Sequence, residues 1–321
     1  MSKFKVYVTD YEYETLRNEE TEIAKLDADL IPLQCRTDED VVRLAADADA
    51  LLVQYAPITA GVFDALDHLR IVVRYGVGVD CVDLEAAAKH RVYVCNVPDY
   101  GVDEVSTHAM ALILNGLRKI QVLSNSVKKG NWDYKISKPI HRTSAVTLGI
   151  AGFGRIPKAV AKKAGGFSFR LISYDPFVSG EIMREYGAEK VDFETLVRES
   201  DILTVHIPLT AETHHLFNRE TFSKMKKGSF LVNTSRGPLV DENALVSALE
   251  NRILGGAALD VCETEPLPAD SKLRKFDNVI LTPHAAWYSE EAQNDLQRKA
   301  AEEVVRVLRN EKPRCCVNIK K

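Results

Sequence analysis

Residues 149–160 read GIAGFGRIPKAV, and the fold turns on this stretch. Gly152 and Gly154 stand as the first two glycines of a G-x-G-x-x-G pattern, with Pro157 in the third place. A glycine pair alone is a common turn. The surroundings raise it above that. The apolar run AVTLGIA precedes it and the helix-forming KAVAKKAGG follows. Asp175 closes the next apolar run, RLISYD, 175 − 154 = 21 residues after Gly154. A dinucleotide-binding strand–helix–strand unit places an acid at about that distance, where it accepts hydrogen bonds from ribose hydroxyls. The same acid repels a 2′-phosphate, so the pattern expects NAD rather than NADP. Proline lacks an N–H but is tolerated in a helix's first turn, where N–H groups have no intrahelical acceptor. The helix is expected to begin at or near Pro157. That leaves the amides of Gly154, Arg155 and Ile156 for a pyrophosphate.

The rest of the chain repeats this rhythm. Strand-like runs FKVYV, ALLVQ, RIVVRY and VYVCNV fill the first hundred residues, and DILTVHIP, GSFLVNTS, GGAALDV and NVILTP follow RLISYD. Helical patterns separate them, including residues 102–123 and the segment from Ser289 to Lys312, with Ser289 as N-cap and Pro313 as its end. Alternation of this kind specifies an α/β fold with parallel sheets covered by helices.

Composition narrows the function classes. The length of 321 residues suits two domains, and 45% hydrophobic residues suffice for their cores. A net charge of −4 argues against nucleic acid as the main partner. No apolar run is long enough to span a membrane. The opening MSKFKVYVTD runs straight into a strand pattern without a leader's apolar core, so a cytoplasmic protein is expected. The six cysteines form no C-x-x-C, and the histidines, among them the adjacent His214 and His215, show no metal spacing. No metal is expected.

Three further stretches place polar residues just after apolar runs, where ligands sit in open α/β sheets. They are LVNTSRGPLVDENAL, GGAALDVCETEPL and LTPHAAWYSEEA, carrying Arg236, Glu265 and His284. Singly, each has a plain explanation: a surface charge, an exposed acidic turn, a packed histidine. Together with AGFGRIP, in this order and approximate spacing, they resemble the D-isomer-specific 2-hydroxyacid dehydrogenase family over nearly the whole chain. TPHAAWYSE and the ending CVN make the branch of the C-terminal-binding protein corepressors the nearest in resemblance. Members acting on phosphoglycerate, hydroxypyruvate and glyoxylate are near neighbours.

The resemblance implies two Rossmann-like domains with a cleft between them: residues 1–98 with 290–321 for substrate, and 99–289 for NAD. Hinges are expected near 98–100 and 287–289, and the long helix from 102 implies a homodimer. It assigns Arg236, Glu265 and His284 as the catalytic residues. A planar guanidinium can grip the carboxylate and carbonyl oxygens of a 2-keto acid. A protonated His284 can give its proton to the carbonyl oxygen as hydride arrives, and a neutral one can take it back in the oxidative direction. Glu265 pairs with the imidazolium, favouring its charged form. By the same resemblance Val77 and Gly78 in RYGVGVD meet the substrate carboxylate through their N–H groups, with Arg74 adding charge. Tyr75 and Val105 flank the nicotinamide. His206, Pro208 and Thr213 line the cofactor groove, Thr234 lies near the nicotinamide ribose, and Asp260 accepts a hydrogen bond from the carboxamide. Trp287 narrows the pocket towards substrates with an apolar tail. The competing expectation is an NAD(H)-sensing dimer that binds short peptides, as the corepressors do. The same three residues serve both, so they do not separate them.

Overall fold

The structure is a computed structural model and describes residues 3–319. The chain divides into two compact units, Met1–Gly101 with Ser289–Lys321, and Val102–Tyr288. Of the segments expected to form the substrate domain, residues 1–2 and 320–321 lie outside the described residues.

The first unit is built on five parallel strands, β1 (Phe4–Val8), β2 (Ala28–Pro32), β3 (Ala50–Val53), β4 (Ile71–Arg74) and β5 (Tyr93–Cys95), in the order β2-β1-β3-β4-β5. The central strand β3 is buried throughout, as a strand covered on both faces must be. Val41, Leu51, Ile58 and Phe63 pack on one side of the sheet. The helix Glu290–Leu308 packs against β4 and the helix Arg17–Ile23. Ser289 caps it by accepting from the Ala292 N–H at 2.9 Å. This helix ends at Leu308, short of Lys312, because the chain turns at Asn310, which adopts a left-handed φ of 62°.

The second unit has seven parallel strands: β6 (Thr147–Ala151), β7 (Arg170–Tyr174), β8 (Ala188–Lys190), β9 (Ile202–Val205), β10 (Ser229–Asn233), β11 (Leu254–Leu259) and β12 (Val279–Leu281). Their order is β12-β11-β10-β9-β6-β7-β8. Neighbouring residues of one strand feed opposite faces. Leu231 of β10 packs with Leu245 and Leu249 of the helix Glu242–Glu250. Val232 packs on the other side with Ile113 of the helix Val102–Arg118 and Val160 of the helix Arg155–Ala164. The long helix expected over 102–123 breaks at Lys119, which adopts φ 51°, before a second helix, Ile120–Lys128. The connections out of β6 turn one way, to β7, while β9 lies on its other side. Ligands bind at such a switch point, outside the carboxyl ends of the strands.

Candidate active site

The glycine stretch sits at that switch point. Gly152 follows β6 with φ +94°, a conformation that side chains oppose, and a Cβ there would lie 2.6 Å from the His206 carbonyl oxygen. Gly154 is exposed, and a Cβ there would meet nothing within 4 Å. It is the N-cap of the helix Arg155–Ala164, and no side chain caps it. The helix thus starts two residues earlier than Pro157. Proline fits this third helical position because only from Lys158, whose N–H donates to Gly154 at 3.2 Å, does the ladder need a donor. The first-turn amides of Arg155 and Ile156 therefore need no intrahelical acceptor, and an anion is a natural partner there.

Asp175 stands at the exit of β7 and braces this loop. Its Oδ2 accepts from the Phe153 N–H at 2.8 Å and its Oδ1 from the Phe177 N–H at 2.8 Å. Carboxylate oxygens have further lone pairs, so ribose hydroxyls can still be received. Across the switch point, His206 is half-buried, with Nε2 2.9 Å from the Thr204 hydroxyl. Burial pushes its imidazole down to about 3, so it is neutral at working pH. Pro208 and Thr213 belong to one hydrogen-bonded turn. Thr213 Oγ1 accepts from the Thr210 N–H at 2.8 Å and donates to the Pro208 carbonyl at 2.7 Å.

The exits of β10, β11 and β12 carry the other candidates. Asn233, fully buried at the end of β10, accepts from the Ser235 N–H at 3.0 Å and donates to the Arg236 carbonyl at 2.8 Å. It shapes the arginine turn, a role missed in the sequence although an Asn two residues before a polar turn residue is a known turn signal. Arg236 Nη1 donates to the Ser235 carbonyl at 2.7 Å. Between them, Thr234 Oγ1 is buried without a hydrogen-bond partner among the described residues.

Glu265 and His284 are brought together. His284 Nδ1 lies 2.7 Å from Glu265 Oε2, and Glu265 Oε1 accepts from the Cys262 N–H at 2.9 Å. Burial pushes the Glu265 carboxyl up, but the bonds from His284 and Cys262, with the nearby charges of His284 and Arg236, outweigh it and hold it below the usual carboxylate range. An ionised Glu265 has no hydrogen to give, so Nδ1 carries it and Nε2 is the position where a proton can come and go. The His284 backbone is left-handed, φ 53°. Asp260 holds it there. Asp260 is 2% exposed; its carbonyl accepts from the His284 N–H at 2.7 Å. Its carboxylate accepts from the Thr282 hydroxyl at 2.6 Å and the Ala285 and Ala286 N–H groups at 2.9 Å each. Three of its four acceptor positions are used by the chain to hold the histidine turn, and one remains.

Val105 is half-buried on the first turn of the helix Val102–Arg118, and Trp287, also half-buried, packs edge-on against Tyr288 with ring centroids 5.6 Å apart. In the first unit, Arg74 folds its guanidinium over Gly76, whose φ of +139° is one that side-chain-bearing residues rarely adopt. Val77 is 43% exposed, its carbonyl accepting from Asn96 Nδ2 at 2.6 Å, and Gly78 is half-buried. Tyr75 corrects an expectation. It is buried and its hydroxyl donates to Glu19 at 2.8 Å, so its side chain is committed to the interior and is not offered to a nicotinamide.

Residues 110–286 match the family described as D-isomer specific 2-hydroxyacid dehydrogenase, NAD binding domain. The chain belongs to this family. A glyoxylate reductase of Korarchaeum cryptofilum is 39% identical over 282 residues, covering 87% of this chain and 85% of that protein. A D-3-phosphoglycerate dehydrogenase of Methanocaldococcus jannaschii is 40% identical over 285 residues, covering 88% of this chain but only 54% of that longer protein. Among solved structures, a D-lactate dehydrogenase from Aquifex aeolicus complexed with NAD and lactic acid superposes with a TM-score of 0.89 at 27% identity, covering 98% of this chain and 100% of that one.

The protein is thus an NAD-dependent oxidoreductase of this family, and its residues fit the cofactor. The uncapped helix start at Gly154 suits the pyrophosphate, Asp175 the adenosine ribose, and the unpartnered Thr234 hydroxyl a polar group that the protein itself does not supply. Among the described residues no helix is long and apolar enough to cross a membrane.

Proposed function

We propose that the chain interconverts a small D-2-hydroxy acid and its 2-keto acid at Arg236, Glu265 and His284. The observation that carries this is the His284–Glu265 pair at 2.7 Å, with the carboxylate held ionised. NAD, when bound, supplies or accepts the hydride. The chain's own residues do the rest. Arg236 binds the carboxylate and carbonyl oxygens, fixing the reacting carbon. His284 delivers a proton from Nε2 to the carbonyl oxygen in reduction and removes it from the hydroxyl in oxidation. Glu265 orients the ring through Nδ1 and stabilises the imidazolium. Gly152, Gly154, Arg155, Ile156, Asp175, His206, Pro208, Thr213 and Thr234 hold the dinucleotide. Val105 and Trp287 supply apolar walls. The roles of Arg74, Val77 and Gly78 at the substrate carboxylate rest on the family resemblance alone.

Glyoxylate and hydroxypyruvate are the first substrates to try, because the glyoxylate reductase relative matches over most of its own length. A cytoplasmic homodimer is the expected form. Exposed apolar side chains at Trp132 and Tyr134, 90% and 69% exposed, support an interface with a second copy. The test is NADH oxidation by the purified protein against a panel of 2-keto acids, with His284→Ala as control. Turnover lost in the variant is expected. No turnover on any acid would overturn the reading.

A further inference from the structure

The adjacent histidines His214 and His215, without metal spacing, have their rings tilted by 30° with centroids 4.0 Å apart. His215 Nε2 lies 2.6 Å from Glu263 Oε1. Glu263 is in turn clamped to Glu242, the first residue of the helix Glu242–Glu250. Its N–H donates to Glu242 Oε1 at 2.7 Å, and the Glu242 N–H donates back to Glu263 Oε1 at 3.3 Å. Two carboxylates are thus held side by side near a third, Glu265. Burial, together with Glu263 and Glu265, pushes the Glu242 carboxyl up. His215 is the side-chain donor that reaches this acidic turn from the loop after β9.

That position joins three loops. On one side, the His215 N–H donates to the Pro238 carbonyl at 2.8 Å, and the Phe217 N–H to Leu239 at 3.0 Å. These bonds lie just beyond Arg236. On the other, the His214 N–H donates to Thr210 at 2.9 Å, within the hydrogen-bonded turn of Pro208 and Thr213. Glu263 itself is two residues from Glu265. Gly237 shows how little slack remains: a Cβ there would collide with the Cys262 carbonyl. A shift of the Cys262–Glu263 peptide must therefore move the arginine turn as well.

We propose that His215 is a positioning residue. Through Glu263 it locks the dinucleotide loop after β9 to the turns that carry Arg236 and Glu265. The inference rests on the dehydrogenase reading for its kinetic consequence but not for its geometry. Removing the His215 ring leaves Glu263 facing Glu242 with less compensation, and the cost of the resulting displacement falls on catalytic alignment.

The experiment compares wild type with His215→Ala, His215→Gln, Glu263→Gln and the His215→Ala/Glu263→Gln double variant. Three quantities are read: kcat and KM for the best 2-keto acid, NADH affinity by fluorescence, and amide hydrogen exchange at Phe217 and Glu263. His215→Ala is expected to lower kcat about tenfold. It should also weaken NADH binding and raise exchange at both amides. His215→Gln, which keeps an N–H donor, should recover most of the loss. The double variant should be no worse than His215→Ala, because both substitutions break one link. Unchanged NADH affinity and exchange in His215→Ala, or losses that multiply in the double variant, would overturn the proposal. A wild type that turns over no 2-keto acid would remove the dehydrogenase reading, while affinity and exchange would still decide the role of His215.

Discussion

His284 reaches Glu265 across a 2.7 Å bond while its own backbone is held at φ 53° by the Asp260 carbonyl. The side chain and the turn are thus fixed by two different carboxyl-bearing residues, Glu265 in the exposed loop and Asp260 in the interior. A left-handed histidine is sparsely populated and persists only where its surroundings over-determine it. The turn is fixed before any substrate arrives, which is what proton transfer through a single ring nitrogen requires.

Glu265→Gln removes the charge beside the ring. The amide oxygen can still accept from Nδ1–H, but its NH2 then faces the Cys262 N–H, so one of the two acceptor bonds is lost as well. The keto-acid reduction rate near neutral pH should fall by roughly a hundredfold, within the usual range for general acid catalysis. The loss should fall on kcat more than on KM for the keto acid. A kcat equal to that of wild type would show that Glu265 acts only as a spacer.

Gly152→Ala and Gly154→Ala should part company. A Cβ at residue 152 meets the His206 carbonyl in a left-handed conformation, so this variant should lose about 1–3 kcal/mol of stability and its NADH binding. A Cβ at residue 154 meets no protein atom within 4 Å. That variant should melt like wild type and show a defect only in dinucleotide affinity, from crowding at the helix start. Thermal melts with and without NADH distinguish the two.

Much of this was legible in the sequence, and what was not has identifiable causes. The strand runs that were found carry a continuous apolar run and are mostly buried, β6 and β9 throughout. The two missed, ADLIP and AEK, are edge strands β2 and β8, half-exposed or exposed for most of their length, with no apolar run to betray them. The glycine loop and Asp175 followed from residue type and spacing because each lies at a strand exit, whereas the Glu265–His284 pairing followed from the family resemblance. Tyr75 did not, because its partner Glu19 is 56 residues away and nothing local marks the pair. Nor did the work of Asp260, whose bonds close a turn more than twenty residues later in the chain. The helix starts at Arg155, near Pro157 as expected; the first turn asks for no donors, so proline marks that turn but not its first residue.

His206 predicts an acid-side loss of stability. Its folded value, about 3, lies below the ordinary 6.5. As pH falls below about 6.5, the unfolded chain takes up a proton that the folded chain refuses, so stability declines from there towards about pH 3. The slope is at most about 1.4 kcal/mol per pH unit, and less because the ring keeps some contact with solvent. Denaturant melts at about pH 7 and about pH 5 should show the decline in wild type and a smaller one in His206→Asn. Equal slopes would mean that the ring titrates freely in the fold.

Thr234→Val tests the unpartnered hydroxyl. A buried hydroxyl without a hydrogen bond destabilises the free protein, so an isosteric methyl should leave the apo melting temperature unchanged or raise it. If the hydroxyl is kept for the dinucleotide, the same change should weaken NADH binding by about 0.5–1.5 kcal/mol, roughly three- to tenfold. The opposite signs are the signature. Binding unaffected with apo stability raised would mean that Thr234 has no ligand to meet. A drop in apo stability would mean that the hydroxyl has a partner in solution, and the cofactor contact would have to be sought at Ser235 or Arg236 instead.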